Sequence, residues 1–275
     1  MTTSHLDVPG GRLLVVDEGN GPPIILLHAG IADNRAWDAL VPTLQAAGYR
    51  TVRYDARGFG QSTTDDVEFS HRADLIAVMD ALGIGRAVLV GNSRGGMLAF
   101  DTAIESPGRV VAVVGVGAGL GGFDGESTPE EVALFAEYRR IDRADPSDIV
   151  ALTTFEVHIW ADGPGQPADR VAPAIRDLVY AMNLPLNEPN HVGGREIALD
   201  PPVNDRLAEL HCPILAVAGT LDFSEVVQVA RHLEAEAPDA RALIWDDVAH
   251  MIAMEQPDRL AAAIADFLAP LDRWS

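Results

Sequence analysis

The chain has 275 residues, 48% of them hydrophobic, enough to bury a substantial core and to form one large α/β domain with an insertion. Its 41 acidic against 20 basic residues give a formal net charge of −21, which repels phosphate backbones and anionic lipid and argues against nucleic-acid and membrane partners. The lone cysteine, Cys212, excludes an internal disulfide and a Cys-rich zinc site and suits a reducing, cytoplasmic compartment.

In chain order, residues 1–9 carry neither the basic start nor the apolar run of a signal peptide. Short β-rich runs then alternate with helical ones. Strands are expected over residues 12–17, 24–28, 51–55, 87–90 and 110–116, with helices over 37–47, 70–82 and 96–104. The weakly polar stretch 110–123 is too short and too Gly-rich to span a bilayer. From 121 to 205 the alternation stops: helical patterns at 130–140, 148–160 and 171–182 are separated by Gly/Pro-rich breaks, and no strand is expected. Strands resume at 214–218 and 242–245, with helices over 225–235 and 257–268. Such an alternation predicts a mostly parallel sheet with helices on both faces.

The most telling segment is Gly91-Asn92-Ser93-Arg94-Gly95, between an apolar run and a helical one. A Gly-x-Ser-x-Gly in a strand-turn-helix setting describes a sharp elbow that holds a serine hydroxyl exposed at a helix N-terminus. A serine hydroxyl needs a base, and the base needs a carboxylate to fix its tautomer. Of the eight histidines, His250 alone follows the last expected strand in a loop before the final helix, at the sheet edge where the elbow displays Ser93. Asp222 ends the turn after strand 214–218 at the same edge; Asp246 and Asp247 lie too close to His250 in sequence to reach its ring easily. The chain order is Ser93, Asp222, His250.

These segments resemble the α/β-hydrolase superfamily along nearly the whole chain, within the group that includes small carboxylesterases, enol-lactonases and C–C bond hydrolases. Leu26-Leu27-His28-Ala29-Gly30 is similar to the family's oxyanion loop, with Ala29 where the family has Gly; Asp55-Ala56-Arg57-Gly58-Phe59-Gly60-Gln61-Ser62 is similar to its Arg-Gly-x-Gly-x-Ser turn, and Gly219-Thr220-Leu221-Asp222 to its acid turn. The resemblance implies an eight-stranded sheet, a core of residues 1–120 and 206–275, and a helical cap of residues 121–205 inserted before the strand that leads to Asp222. It also implies an oxyanion hole from the backbone N–H groups of Gly30 and Arg94, with Ile31 as substitute. His28 is expected to organise its loop, and Arg57 to form an internal ion pair with Asp55.

The function expected is two-step acyl transfer on a small ester or lactone, needing no cofactor and no metal: the chain has no metal-ligand spacing, phosphate loop or dinucleotide fingerprint. Phe123, Phe155 and Trp160 are the preferred pocket candidates among the aromatic residues of the insertion. The Arg94 side chain fits a substrate carboxylate or an outward ion pair. Two alternatives stand beside this reading. A C–C hydrolase of diketone-type ring-cleavage products is favoured by Gly91-Asn92-Ser93 but not by Met251 after His250. A binding protein or receptor on the same scaffold is the other. A small-molecule substrate and a monomer or homodimer complete the expectation.

Overall fold

The structure, a computed structural model, describes residues 1–271. The first half runs β1 (Thr2–Val8), β2 (Gly11–Glu18), β3 (Pro23–Leu27), α1 (Val41–Ala46), β4 (Arg50–Tyr54), β5 (Thr63–Thr64), β6 (Glu68–Phe69), α2 (His71–Ala81), β7 (Ala87–Asn92), α3 (Arg94–Glu105) and β8 (Val110–Val116). Three helices follow, α4 (Pro129–Ala144), α5 (Ile149–Val157) and α6 (Pro173–Asn183), then β9 (Arg195–Glu196). The chain closes with β10 (Ile214–Gly219), α7 (Ser224–Glu236), β11 (Ala240–Trp245), α8 (Ile252–Glu255) and α9 (Pro257–Leu268).

Strands lie in the order β1-β2-β4-β3-β7-β8-β10-β11, with β5 attached to β2. Pairs from β4 through β11 are parallel, while β1, β2 and β4 pair antiparallel. This is the mostly parallel α/β sheet expected. Its central strands are apolar on both faces because both are covered. Ile25, Leu27, Leu89, Val113 and Ala216 face one way, against Leu75, Phe100 and Val229 from α2, α3 and α7. Ile24, Leu26, Val88, Val90, Val114 and Val217 face the other, against Leu44 from α1 and Leu260 and Ile264 from α9.

The order reverses between β3 and β7: β3 is followed by β4 on one side, and the chain then returns to add β7 on the other. A crevice opens beyond the strand ends at such a switch point. The loop after β3 and the Ser93 elbow both begin there.

The structure departs from the pattern expected in four places. Strand β1 lies outside the strands expected; five of its seven residues are exposed, so it lacks apolar alternation and is held by its antiparallel ladder to β2. The single helix expected over 37–47 is divided into a 3-10 turn, Asn34–Trp37, and α1, because Pro42 has no N–H to donate and sits in the first turn of a new helix. The stretch 121–205 does contain a strand, since β9 pairs with β6 in a separate two-stranded sheet and so ties the end of that stretch to the segment before α2. The 148–160 run is helical but changes character: α5 stops at Val157 and a π-helical turn, His158–Asp162, continues it. Among the described residues no helix is long and apolar enough to cross a membrane.

The elbow is one of the tightest points of the fold. A Cβ on Gly91 would lie 2.1 Å from the Gly95 carbonyl oxygen, and one on Gly95 would lie 2.1 Å from the Leu27 carbonyl oxygen. Both obstacles are backbone, one in α3 and one in β3, so neither can swing aside. Gly95→Ala is therefore expected to lower stability by about 3 kcal/mol or more, read from urea unfolding midpoints. Gly85→Ala is the control, since an added Cβ there meets nothing within 4 Å; its shift should stay within about 0.5 kcal/mol.

Candidate active site

Ser93 joins β7 to α3 with φ 54° and ψ −117°, and only Asp247 shares a positive φ among the non-glycine residues described. The left-handed region is disfavoured for a residue with a Cβ and persists where the surroundings over-determine it. Here the Ser93 N–H donates to the Val116 carbonyl at 3.0 Å, and Gly91 and Gly95 bring β7, α3 and β3 into backbone contact.

Two loops bring the imidazole and the carboxylate together. Thr220 N–H donates to the Trp245 carbonyl at 2.8 Å and Leu221 N–H to the Val248 carbonyl at 3.0 Å, joining the turn after β10 to the loop after β11. A side chain at Gly219 would come within 2.0 Å of the Val248 oxygen, so this approach needs glycine. His250 Nδ1 then lies 2.8 Å from Asp222 Oδ2, and the Asp222 Oδ1 accepts the Phe223 N–H at 2.8 Å. The Asp222 side chain has no exposed surface. Asn92, at the end of β7, donates through Nδ2 to Val116 O at 2.8 Å and His250 O at 3.2 Å. Its amide thus anchors the histidine loop to the strand beside the elbow, and the residue is buried.

A second support reaches His250 from the other side. Glu255 Oε1 accepts the Ala249 N–H at 3.0 Å, and Glu255 Oε2 pairs with Arg170 Nη2 at 2.7 Å. Arg170 also donates to the Ala161 carbonyl at 3.0 Å, so one guanidinium links the π-helical turn to the loop carrying His250. Burial raises the Glu255 carboxyl above its ordinary value against the pull of Arg170. Neither residue stands out in the sequence, where Glu255 falls between the His250 loop and the helix expected from Pro257; it ends the short helix α8.

On the other wall, His28 is buried and bridges two loops: Nδ1 lies 2.8 Å from its neighbour's oxygen, Ala29 O, and Nε2 accepts the Ala56 N–H at 3.0 Å. Burial, with the nearby Arg94 charge, lowers its pKa to about 3. It is a neutral tie between the 28–30 loop and the 55–62 turn, as expected. Space in front of Gly30 is open, a Cβ there meeting nothing within 4 Å. Arg94 is the first residue of α3, a position whose backbone N–H has no intrahelical acceptor.

The expected Arg57–Asp55 ion pair does not form. Arg57 instead grips Asp74 of α2 with both ends of its fork, at 2.6 and 2.8 Å, and donates to Pro9 O at 2.8 Å. Asp55 accepts from Asn34 N–H and Nδ2 and from Gln61 N–H, at 2.9, 2.6 and 2.8 Å. Proximity along the chain does not select the partner of Arg57, which lies on a helix seventeen positions later.

The pocket candidates separate. Trp160, in the π-helical turn, lies with its ring centroid 4.6 Å from that of His250 and 4.6 Å from that of Phe223. Phe223 completes this wall against Phe135, with centroids 5.0 Å apart; its place beside Asp222 was the only sequence signal for it. Phe155 is half-buried against the core cluster. Phe123 packs on His232 of α7, with centroids 4.8 Å apart. Below them, Ala29, Ala32 and Ala36 of the 28–36 loop pack with Val157, Ala161, Val179, Met182 and Met251. The helical segment 121–205 thus touches both loops of the site. No cluster of three His, Cys, Asp or Glu suited to a metal gathers among the described residues.

His71 sits beside this constellation, its pKa lowered to about 2 by burial and then by Arg94. Because an unfolded histidine titrates near 6.5, the unfolded chain takes up protons that buried His71 and His28 refuse as pH falls. Their neutral burial therefore favours the fold fully above pH 6.5 and does so less and less below it. The stability difference between wild type and His71→Gln should be constant above that pH and shift against wild type from about pH 6.5 downward, as urea midpoints at several pH values would show.

The profile of the alpha/beta hydrolase fold matches residues 22–257. The chain is 29% identical over 286 aligned residues to a 2-hydroxy-6-oxo-6-phenylhexa-2,4-dienoate hydrolase of Burkholderia cepacia, covering 98% of this chain and 95% of that one. Among solved structures it is similar to Est816, described as an N-acyl homoserine lactone degrading enzyme, with TM-score 0.73, 26% identity and coverage of 96% of this chain and 100% of that one. It is also similar to the esterase RhEst1 from Rhodococcus sp. ECU1013, with TM-score 0.76, 25% identity and coverage of 99% and 100%.

Proposed function

The chain belongs to the alpha/beta hydrolase family, and we propose that it is a serine hydrolase that cleaves small carboxylic esters or lactones with Ser93, His250 and Asp222 as its triad. The observation that carries this reading is the buried 2.8 Å contact between His250 Nδ1 and Asp222 Oδ2, at the sheet edge that also holds the strained Ser93. With Nδ1 donating to the carboxylate, Nε2 is left as the base. It takes the Ser93 proton as the hydroxyl oxygen attacks the carbonyl carbon, and the carbonyl oxygen, now negative, receives the N–H groups of Gly30 and Arg94. Collapse expels the alcohol, which receives the proton from His250. Water, losing a proton to the same nitrogen, then attacks the acyl-enzyme and releases the acid and Ser93.

In this reading the segment 121–205 is a cap over the core of residues 1–120 and 206–275. Trp160 and Phe223 form the pocket wall nearest the base, with Phe155 and Phe123 further candidates. The substrate is a small molecule, and a monomer or homodimer both suit the reading.

A second reading, cleavage of a C–C bond, has one observation in its favour: the Burkholderia cepacia relative, similar over almost the whole chain, is by name a hydrolase of a 2-hydroxy-6-oxo-dienoate. The inward-turned Asn92 and the buried Met251 offer such a substrate no additional group. Turnover of p-nitrophenyl esters from acetate to octanoate and of small lactones, set beside a 2-hydroxy-6-oxo-dienoate, separates the two. Ester or lactone turnover exceeding that of the dienoate by about ten-fold or more in kcat/KM supports the first reading. The reverse ranking would replace it by the second, and binding without turnover of either class would leave a receptor on this scaffold.

A further inference from the structure

Acyl transfer uses the backbone N–H of Arg94 and gives its side chain nothing to do. That side chain begins beside the nucleophile, lies over the Phe59 ring with Cζ 4.6 Å from the centroid, and donates from Nη1 to His71 Nε2 at 3.0 Å. Among the described residues no carboxylate reaches ion-pair distance of it. The neighbouring guanidinium groups are differently placed: Arg57 holds Asp74 at 2.6 Å and Arg72 holds Glu105 at 3.0 Å. Glu196 approaches the cluster only as far as His71, at 3.9 Å.

A cation withdrawn from water without an adjoining anion is unfavourable, and proteins seldom keep one without a use for it. In this cluster four buried polar atoms have no hydrogen-bond partner: Arg94 Nε, His71 Nδ1, the Tyr54 hydroxyl and Arg72 Nη1. Tyr54 ends β4 and His71 opens α2, so the orphans belong to elements that converge near the elbow. The two nearby imidazoles are neutral, and burial disfavours the Arg94 charge, with Glu196 acting on it only through space. With Nη1 engaged by His71, its Nε–Nη2 edge is the one without a partner. That is the edge by which Arg57 takes both oxygens of Asp74.

We propose that Arg94, backed by His71 and the Tyr54 hydroxyl, is a carboxylate-binding subsite, so that the preferred substrates are esters or lactones that also carry a free carboxylate. The proposal deepens the ester-hydrolase reading above and rests on it for the identity of the bond cleaved. The long-range field of a chain with net charge −21 disfavours anions. A planar, partly buried cation on the residue next to the nucleophile is the local device that overcomes it, and its fork matches two carboxylate oxygens.

The test uses shape-matched pairs that differ only in charge: monomethyl glutarate against methyl 4-carbamoylbutanoate for the acyl side, and 4-acetoxybenzoate against 4-acetoxybenzamide for the alcohol side. For at least one pair the wild type should favour the anion by about ten-fold or more in kcat/KM, chiefly through KM, with the ratio shrinking at high salt. Arg94→Gln should bring that ratio towards one, and Arg94→Lys should retain part of it. Because the ratio is taken within each variant, a general loss of activity cancels. A wild-type ratio at or below one for both pairs, or an undiminished ratio in Arg94→Gln, overturns the subsite. Glutarate against glutaramide binding, followed calorimetrically on wild type, needs no variant and no turnover; equal affinities also overturn it. Absent hydrolysis with tighter glutarate binding would instead mean that the subsite stands and the ester reading falls.

Discussion

Ser93→Ala is expected to lower kcat on any ester that the wild type hydrolyses by about 10⁴- to 10⁶-fold, with the fold unchanged. The serine contributes no side-chain cap to α3, so its hydroxyl is not a structural tie of that helix. His250→Ala should cost about as much, and the double variant little more, because nucleophile and base act as one unit. Labelling by a fluorophosphonate, followed by intact mass, should add one equivalent to wild type and none to Ser93→Ala. The backbone at Ser93 offers a second readout. At φ 54° the residue sits where glycine is relaxed. Ser93→Gly should therefore be as inactive as the alanine variant yet more stable by up to about 1 kcal/mol. A less stable glycine variant would mean that the elbow is not strained.

The second large effect is expected at Asp222. Its two oxygens accept from different donors, Oδ2 from His250 Nδ1 and Oδ1 from the Phe223 N–H, both at 2.8 Å. An asparagine has one acceptor oxygen and one NH₂ group. If its oxygen keeps the rigid Phe223 N–H, the NH₂ faces the imidazole, which must then carry its own proton on Nε2 and can no longer accept one from Ser93. Asp222→Asn should thus reduce kcat by roughly 10⁴-fold with little change in KM, since nothing that would touch the substrate moves. Steady-state kinetics on a p-nitrophenyl ester checks this; a loss smaller than about ten-fold would mean that the carboxylate does not set the tautomer.

Much of this constellation was legible in the sequence, for identifiable reasons. Gly91 and Gly95 are where they are because backbone passes within contact distance, a demand that leaves a spelling. The central strands are uniformly apolar because helices cover both faces, and that too is visible in composition. Asp222 and His250 were inferred from their placement after consecutive strands, which the parallel topology turns into proximity. Other contacts left no such trace. Strand β1 is exposed at the sheet edge and carries no hydrophobic period. Arg57 has several carboxylates nearby in sequence, and only the approach of α2 selects Asp74. The Arg170–Glu255 bridge joins residues far apart in the chain through a largely buried contact, which neither propensity nor spacing encodes.

The placement of Trp160 has a consequence of a different kind. Its indole lies within van der Waals reach of the His250 imidazole, with ring centroids 4.6 Å apart. Protonated imidazole quenches indole emission by accepting an electron from the excited ring, whereas the neutral ring does so weakly. The base therefore stands beside a built-in optical gauge of its own charge. In a variant that keeps Trp160 and replaces the other tryptophans by phenylalanine, emission intensity against pH would trace the ionisation of His250 in the resting protein. In stopped flow, the same signal would follow the proton as it arrives from Ser93 and departs with the alcohol.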